Sequence, residues 1–170
     1  MSVEDIYNLM NYIEYGFIDK NNKRRNDYDT FYDDYQLQSP EELIQSKLGV
    51  CWDQVELERY YFENNNINCN TYYIIYYDNK ELPTHTFLVF NDDDNYYWFE
   101  HSWEIHKGIH KYNTLEELLS DVRYKFIEDA EDDNIPIEKV SIYEYTKPNY
   151  HLSVQEFMDY CSKGNPINIK

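Results

Sequence analysis

Cysteines are scarce in this chain and do not fall into a pairing pattern. Cys51, Cys69 and Cys161 are the only three, an odd number with no CxxC spacing. A reduced, cytoplasmic protein with free thiols is therefore expected, and a reactive thiol is chemically open to it. No N-terminal stretch combines a positive segment with an apolar one, and no apolar run is long enough to span a membrane, so neither export nor a membrane partner is expected. Cations are scarce too. Fifteen Lys and Arg stand against 33 Asp and Glu, a net charge of −18 and a sequence pI near 4.5. Such a field repels phosphate backbones and argues against direct nucleic-acid binding. The one basic run, KNNKRRN at 20–26, is flanked by DYDTFYDDY, which largely cancels it. The acidity reads either as an ordinary solvated surface or as the surface of a nucleic-acid mimic. No internal repeat and no long linker appears, so residues 1–170 are expected to form one domain.

Aromatic residues are plentiful. Twenty tyrosines, 18% aromatic and 42% hydrophobic residues overall argue for a folded core in which tyrosine rings are buried and their hydroxyls reach partners or water. Ser2-Val3-Glu4-Asp5 opens a helix with Val3, Ile6, Leu9, Met10 and Ile13 on one face. Residues 19–38 are polar and acidic and read as a long loop or irregular arm. Ser39-Pro40-Glu41-Glu42 starts a short helix running to Gly49. A second, amphipathic helix starts near Cys51 and ends at about Glu63, before NNNIN. The period then changes. TYYIIYY (71–77), HTFLVF (85–90) and NYYWFEHSW (95–103) read as strands, the last two joined by the turn cluster NDDDN. A helix from Thr114 carries Leu115, Leu118, Leu119, Val122 and Phe126 inward. KVSIYEYT (139–146) is a further strand, and a short helix runs from Ser153 to about Cys161. Helices first and mainly sheet afterwards predict an α+β fold.

Chemistry is concentrated in three places. A thiol in the first turn of a helix, as at Cys51, meets unpaired backbone N–H groups and the positive end of the dipole. Gly49 lets the chain turn sharply into that helix, and the same amides can donate to an oxyanion. Taken alone, a cysteine between Val50 and Trp52 is equally a small packed residue. The hairpin supplies the second and third groups. An even loop, Asp92-Asp93 or Asn91 to Asp94, sets His85 opposite Glu100, Phe87 opposite Trp98 and Val89 opposite Tyr96. A histidine beside a carboxylate on an apolar face suits a general base and its orienting acid. An odd loop would bring His101 opposite His85 instead. Read by itself the pair is also an ordinary cross-strand contact; beside Cys51 it completes a set known for acyl transfer.

GVCWDQVELERYYFENNNI resembles the nucleophile segment of transglutaminase-like proteins: Gly-x-Cys opening a helix, an acid two residues on, an isoleucine after the helix. HTFLVFNDDDNYYWFEHSW resembles their second segment, in which a histidine begins a strand and an aromatic residue leads the next strand to an acid. The resemblance covers residues 39–103 and implies a papain-like fold, with the nucleophile-bearing helix packed on an antiparallel sheet. It implies Cys51 as nucleophile, His85 as base and Glu100 as orienting acid. Glu100 departs from the family's usual aspartate, and Thr86-Phe87 from its small residue and tryptophan. Gln45, six residues before Cys51, matches the spacing of the oxyanion glutamine in papain-like proteases; it also reads as a polar residue on an exposed helix turn. Glu100, His101, Glu104, His106 and His110 lack the HExxH spacing, and strand alternation parts Glu100 from His101, so no metal is expected. EDAEDD (128–133) lacks the glycine of a calcium loop and reads as a solvated helix end.

The expectation is a cysteine-dependent enzyme that cleaves an amide or peptide bond in a protein or peptide substrate, with no cofactor. The competing expectations are a non-catalytic transglutaminase-like module that docks a basic protein, and an acidic nucleic-acid mimic.

Overall fold

In the computed structural model, which describes residues 1–77, 83–130 and 135–170, local signals set most element boundaries. Ser2 and Asp5 form a reciprocal capping box at the head of α1 (Val3–Met10), whose Ile6 and Met10 are buried. Residues 19–38 are more regular than their polar composition suggests. β1 (Phe17–Ile18) pairs antiparallel with β2 (Arg24–Arg25), and Asp19 ties the connection by accepting from the N–H groups of Asn21 and Lys23. A single turn, α2 (Phe31–Asp34), follows. The arm is held by a few aromatic and aliphatic anchors: Phe17, Tyr35 and Leu37 are buried in one cluster with Trp52 and Phe157.

Ser39 and Glu42 form the predicted capping box of α3 (Pro40–Ser46), with proline in its first turn. α4 (Cys51–Asn64) follows after Gly49 and Val50. Gly49 serves a different purpose from the sharp turn expected of it. It is not among the residues with positive φ; a Cβ there would lie 2.7 Å from Leu43 Cδ1 and 2.9 Å from Asp53 Cβ. The missing side chain lets α3 approach the start of α4.

β3 (Cys69–Tyr76), β4 (Thr84–Asn91), β5 (Tyr96–Glu100) and β6 (Gly108–Tyr112) precede α5 (Leu115–Asp129), which is followed by β7 (Val140–Tyr145), α6 (Val154–Ser162) and β8 (Asn165–Ile167). The six later strands form one antiparallel sheet, β6-β5-β4-β3-β7-β8. The α+β expectation thus holds. One face of the sheet, carrying Tyr72, Ile74, Phe87, Val89 and Trp98, packs on Leu118, Leu119, Val122 and Phe126 of α5. The other carries Tyr73 and Ile75 against Trp52 and Val55 of α4 and Phe157 of α6, and Leu88 and Phe99 against Ile6, Leu57 and Phe62. Of the acidic tract at 128–133, Glu128 and Asp129 close α5; residues 131–133 lie outside the described residues.

The β4–β5 loop is even, as expected, but it is Asp92 to Asn95. Asn91 pairs with Tyr96 and Val89 with Trp98. The pairs expected at Val89–Tyr96, Phe87–Trp98 and His85–Glu100 are therefore each two residues out of register. Asp92 explains the choice: its Oδ1 accepts from the N–H groups of Asp94 and Asn95 at 2.9 and 2.8 Å, and its Oδ2 from the Tyr97 hydroxyl at 2.7 Å. A slip of two residues keeps every side chain on its face, so His85 and Glu100 still share one.

Candidate active site

His85 stands near the start of β4 and Glu100 at the end of β5, diagonally placed rather than opposed. Their side chains meet nonetheless, with His85 Nε2 2.5 Å from Glu100 Oε1. The extra methylene of glutamate over aspartate gives the reach that a diagonal needs. The Cys51 thiol is close enough to the His85 ring to raise its affinity for a proton; Nε2 is committed to Glu100, which makes Nδ1 the nitrogen that can take the thiol proton. Cys51 and His85 line one cleft of about 220 Å³, together with Tyr15, Thr84, Trp103, Phe126 and Asp129. The three residues expected to act together are therefore brought together.

Glu100 is 2% exposed and well supplied with donors. Its Oε1 also accepts from Trp98 Nε1 at 3.3 Å, and its Oε2 from the Trp103 N–H at 3.0 Å and the Ser102 hydroxyl at 3.2 Å. Burial alone would raise this carboxyl; the His85 charge and hydrogen bond, with those donors, outweigh it and hold it below the ordinary value. Burial works against a charged imidazole in the same way, but Glu100 and Cys51 on either side raise His85 to about 10. Trp103 covers the ring edge-on, centroids 4.9 Å apart. A second acid, Glu58 of α4, is buried nearby. Burial, reinforced by the charge of Glu100, pushes its carboxyl well above the usual range.

The head of α4 is fixed by Asp53. Its carboxylate accepts from the Val50 N–H and the Gln38 N–H at 2.9 Å and from the Tyr35 hydroxyl at 2.8 Å. Burial still raises it to about 7 against those bonds. The N–H groups of Cys51 and Trp52 occupy the first helical turn, where no intrahelical acceptor is available. Gln45 does not line the cleft. It is exposed on α3, because Leu43 points into the core and a residue two further on is turned to the opposite side of the helix. The oxyanion role expected of it is thus not supported by its placement.

His101, the residue after β5, turns away from the Glu100 side. Its Nδ1 is 2.7 Å from Gln54 Oε1 and its Nε2 3.1 Å from the side-chain amide of Asn11, and Gln54 Nε2 donates to Gly49 O at 2.9 Å. This chain links the acid-bearing strand to the nucleophile helix and to α1. Burial, helped by the charge of Lys107, lowers His101 to about 4, so it is neutral at pH 7. Nδ1–H then donates to Gln54 Oε1, the shorter of the two contacts. A base with a depressed folded value contributes stability that is present above its unfolded value of about 6.5 and lost as pH falls through about 4, worth roughly 3 kcal/mol. Urea unfolding at pH 7 and pH 4 should show this loss in the wild type, and His101→Gln should narrow the gap by about 2–3 kcal/mol. Identical pH dependence in the two proteins would refute it.

Sequence alone placed Trp98 on the face of Glu100 but did not show it as a donor to that carboxylate; Ser102 and Trp103, the donors to Oε2, were not singled out. Tyr15, Phe126 and Asp129 had no such signal, since they come from distant elements. A larger hollow of about 430 Å³ is lined by Asp19, Lys20, Asp34, Glu42 and His151. Its charges are already matched, Lys20 to Asp34 at 3.1 Å and His151 to Glu42 at 2.7 Å, and it holds no nucleophile. Among the described residues, no group of three His, Cys, Asp or Glu side chains is placed to hold a metal, and no helix is long and apolar enough to cross a membrane. No family model matches the chain, and no curated protein matches it in sequence.

Proposed function

We propose that this protein is a cysteine-dependent acyl-transfer enzyme of transglutaminase-like type that hydrolyses an amide or peptide bond through Cys51, His85 and Glu100. The observation that carries the reading is that Cys51 and His85 line one cleft while the His85 ring is bonded to the buried Glu100 carboxylate. Cys51 Sγ, its proton passed to His85, attacks the carbonyl carbon; a C–S bond forms and the carbonyl pair moves to oxygen. The first-turn N–H groups of α4 receive that oxyanion. The intermediate collapses, the C–N bond breaks, and His85 hands its proton to the departing amine. Water then gives a proton to His85 and attacks the thioester, and the thiol is restored as the acid leaves. This chemistry requires no cofactor. A protein or peptide substrate and a cytoplasmic setting, where the thiol stays reduced, belong to the same proposal.

Iodoacetamide labelling tests it. Cys51 is 6% exposed, so an inert buried thiol there would react more slowly than free glutathione. An activated one should react at pH 7 about tenfold or more faster than glutathione. Cys69, raised to about 11 by burial, and Cys161, fully buried and also raised, should lag far behind. Cys51 reacting more slowly than glutathione would sink the enzyme reading and favour a non-catalytic acidic module that docks a basic partner.

A further inference from the structure

We propose, on the footing of that enzyme reading, that the cleft selects acyl substrates carrying a cationic side chain and that Asp129 is the residue that recognises it. The cleft runs from Cys51 and His85 to the last turn of α5, where Asp129 stands. Asp129 is exposed, yet its carboxylate is held in place: Trp103 Nε1 donates to Oδ2 at 2.8 Å, which leaves Oδ1 for a ligand. Three features at this end favour positive charge. They are the Asp129 carboxyl group, the negative end of the dipole of a 15-residue helix, and the aromatic ring of Trp103 in the lining. Among the described residues, no Lys or Arg lines the cleft. A net charge of −18 draws a cationic substrate toward the protein and repels an anionic one. At about 220 Å³ the space is below the range of about 300–1,000 Å³ that engulfs a whole small molecule. It holds one side chain and leaves the rest of a peptide outside.

The two ends of the cleft therefore divide the work. The head of α4 takes the carbonyl oxygen that becomes negative, and the tail of α5 takes the positive group of the same substrate. The test uses three peptidyl acyloxymethyl ketones that differ only in carrying lysine, norleucine or glutamate next to the electrophile. The rate of Cys51 alkylation in the full chain is read by mass spectrometry. The lysine probe should react about fivefold or more faster than the norleucine probe, and the glutamate probe slowest. Asp129→Asn keeps an acceptor for Trp103 while removing the charge; it should reduce the ratio of the lysine rate to the norleucine rate to about one. Glu128→Gln, which removes the same charge from the neighbouring position outside the cleft lining, should preserve the preference. Equal rates for lysine and norleucine, or an Asp129→Asn variant that slows both alike, would overturn the substrate assignment while leaving the reactive Cys51 standing. Failure of all three probes to alkylate Cys51 in the folded protein would overturn both.

Discussion

Glu100→Gln is expected to slow alkylation of Cys51 at pH 7 by about 10²–10⁴-fold, the span that a positioned acid–base partner contributes. The effect is transmitted through His85. Its imidazolium is favoured against burial chiefly by the Glu100 charge, with Cys51 adding to it. A neutral amide at position 100 has a single acceptor oxygen, which can serve either Trp98 or the Ser102 and Trp103 donors but not both; it no longer compensates a buried cation, and His85 sheds its proton instead. The ring should then titrate well below the value of about 10 found with Glu100 in place, which ¹⁵N-edited NMR of the imidazole reads directly. The stability cost has a defined pH window. A raised histidine contributes stability that is fully present below its unfolded value of about 6.5 and lost as pH rises through about 10. A lowered carboxyl contributes stability present above its ordinary 4.5 and lost as pH falls through its folded value. The pair is therefore at full strength between about 4.5 and 6.5, where breaking it should cost about 3–5 kcal/mol, and the cost should shrink steadily toward pH 10. A deficit that does not change with pH would mean that the two groups are not charged in the folded protein.

How much of this was legible in the residues can be argued element by element. The capping boxes at Ser2, Ser39 and Ser153 were fully local, and each is present. Hairpin parity was legible because NDDDN limits the loop to few lengths. The register was not, because both candidate even loops bury the same face and only the side-chain bonds of Asp92 separate them from the loop observed. β6, with the sequence GIHKY and a half-buried pattern, and β8, with only NPI, gave too little alternation to be read as strands. For the site, residue type and order pointed to Cys51, His85 and Glu100. The cleft wall did not show, because Trp103, Phe126 and Asp129 meet only after α5 has folded across the sheet. Gln45 misled for a related reason: spacing along the chain says nothing of which side of a two-turn helix faces the thiol.

The clearest failure of pattern reading is α4 itself, and it leads to the second large effect. CWDQVELERYYFEN reads as amphipathic, with the acids and Arg59 turned to water. Instead every residue from Cys51 to Arg59 is buried, and Asp53, Gln54 and Arg59 reach partners outside the helix. Arg59 Nε lies 3.0 Å from Glu56 Oε1 and its Nη2 2.5 Å from Thr71 Oγ1, while its guanidinium sits 5.4 Å from the Tyr145 ring centroid. Arg59→Met is therefore expected to destabilise the protein by about 3–5 kcal/mol, because Glu56, 2% exposed, keeps its desolvation cost and loses its cation. Thr71 still donates to Tyr145 O at 2.8 Å, so the loss concentrates on Glu56. Burial already raises Glu56 despite the nearby Arg59 charge; without that charge it rises further, and the carboxyl enters the core protonated. A raised acid contributes stability below its unfolded value and loses it as pH climbs through the folded one, so the deficit of Arg59→Met should be smaller at pH 5 than at pH 8. Adding Glu56→Leu should recover most of the loss at pH 8, since a matched apolar pair replaces a buried ion pair at little net cost. Chemical denaturation of the wild type, both single variants and the double variant measures the coupling. A double variant as unstable as the sum of its parts would show that the two residues act independently, and the account of why so polar a helix lies at the centre of this fold would fail.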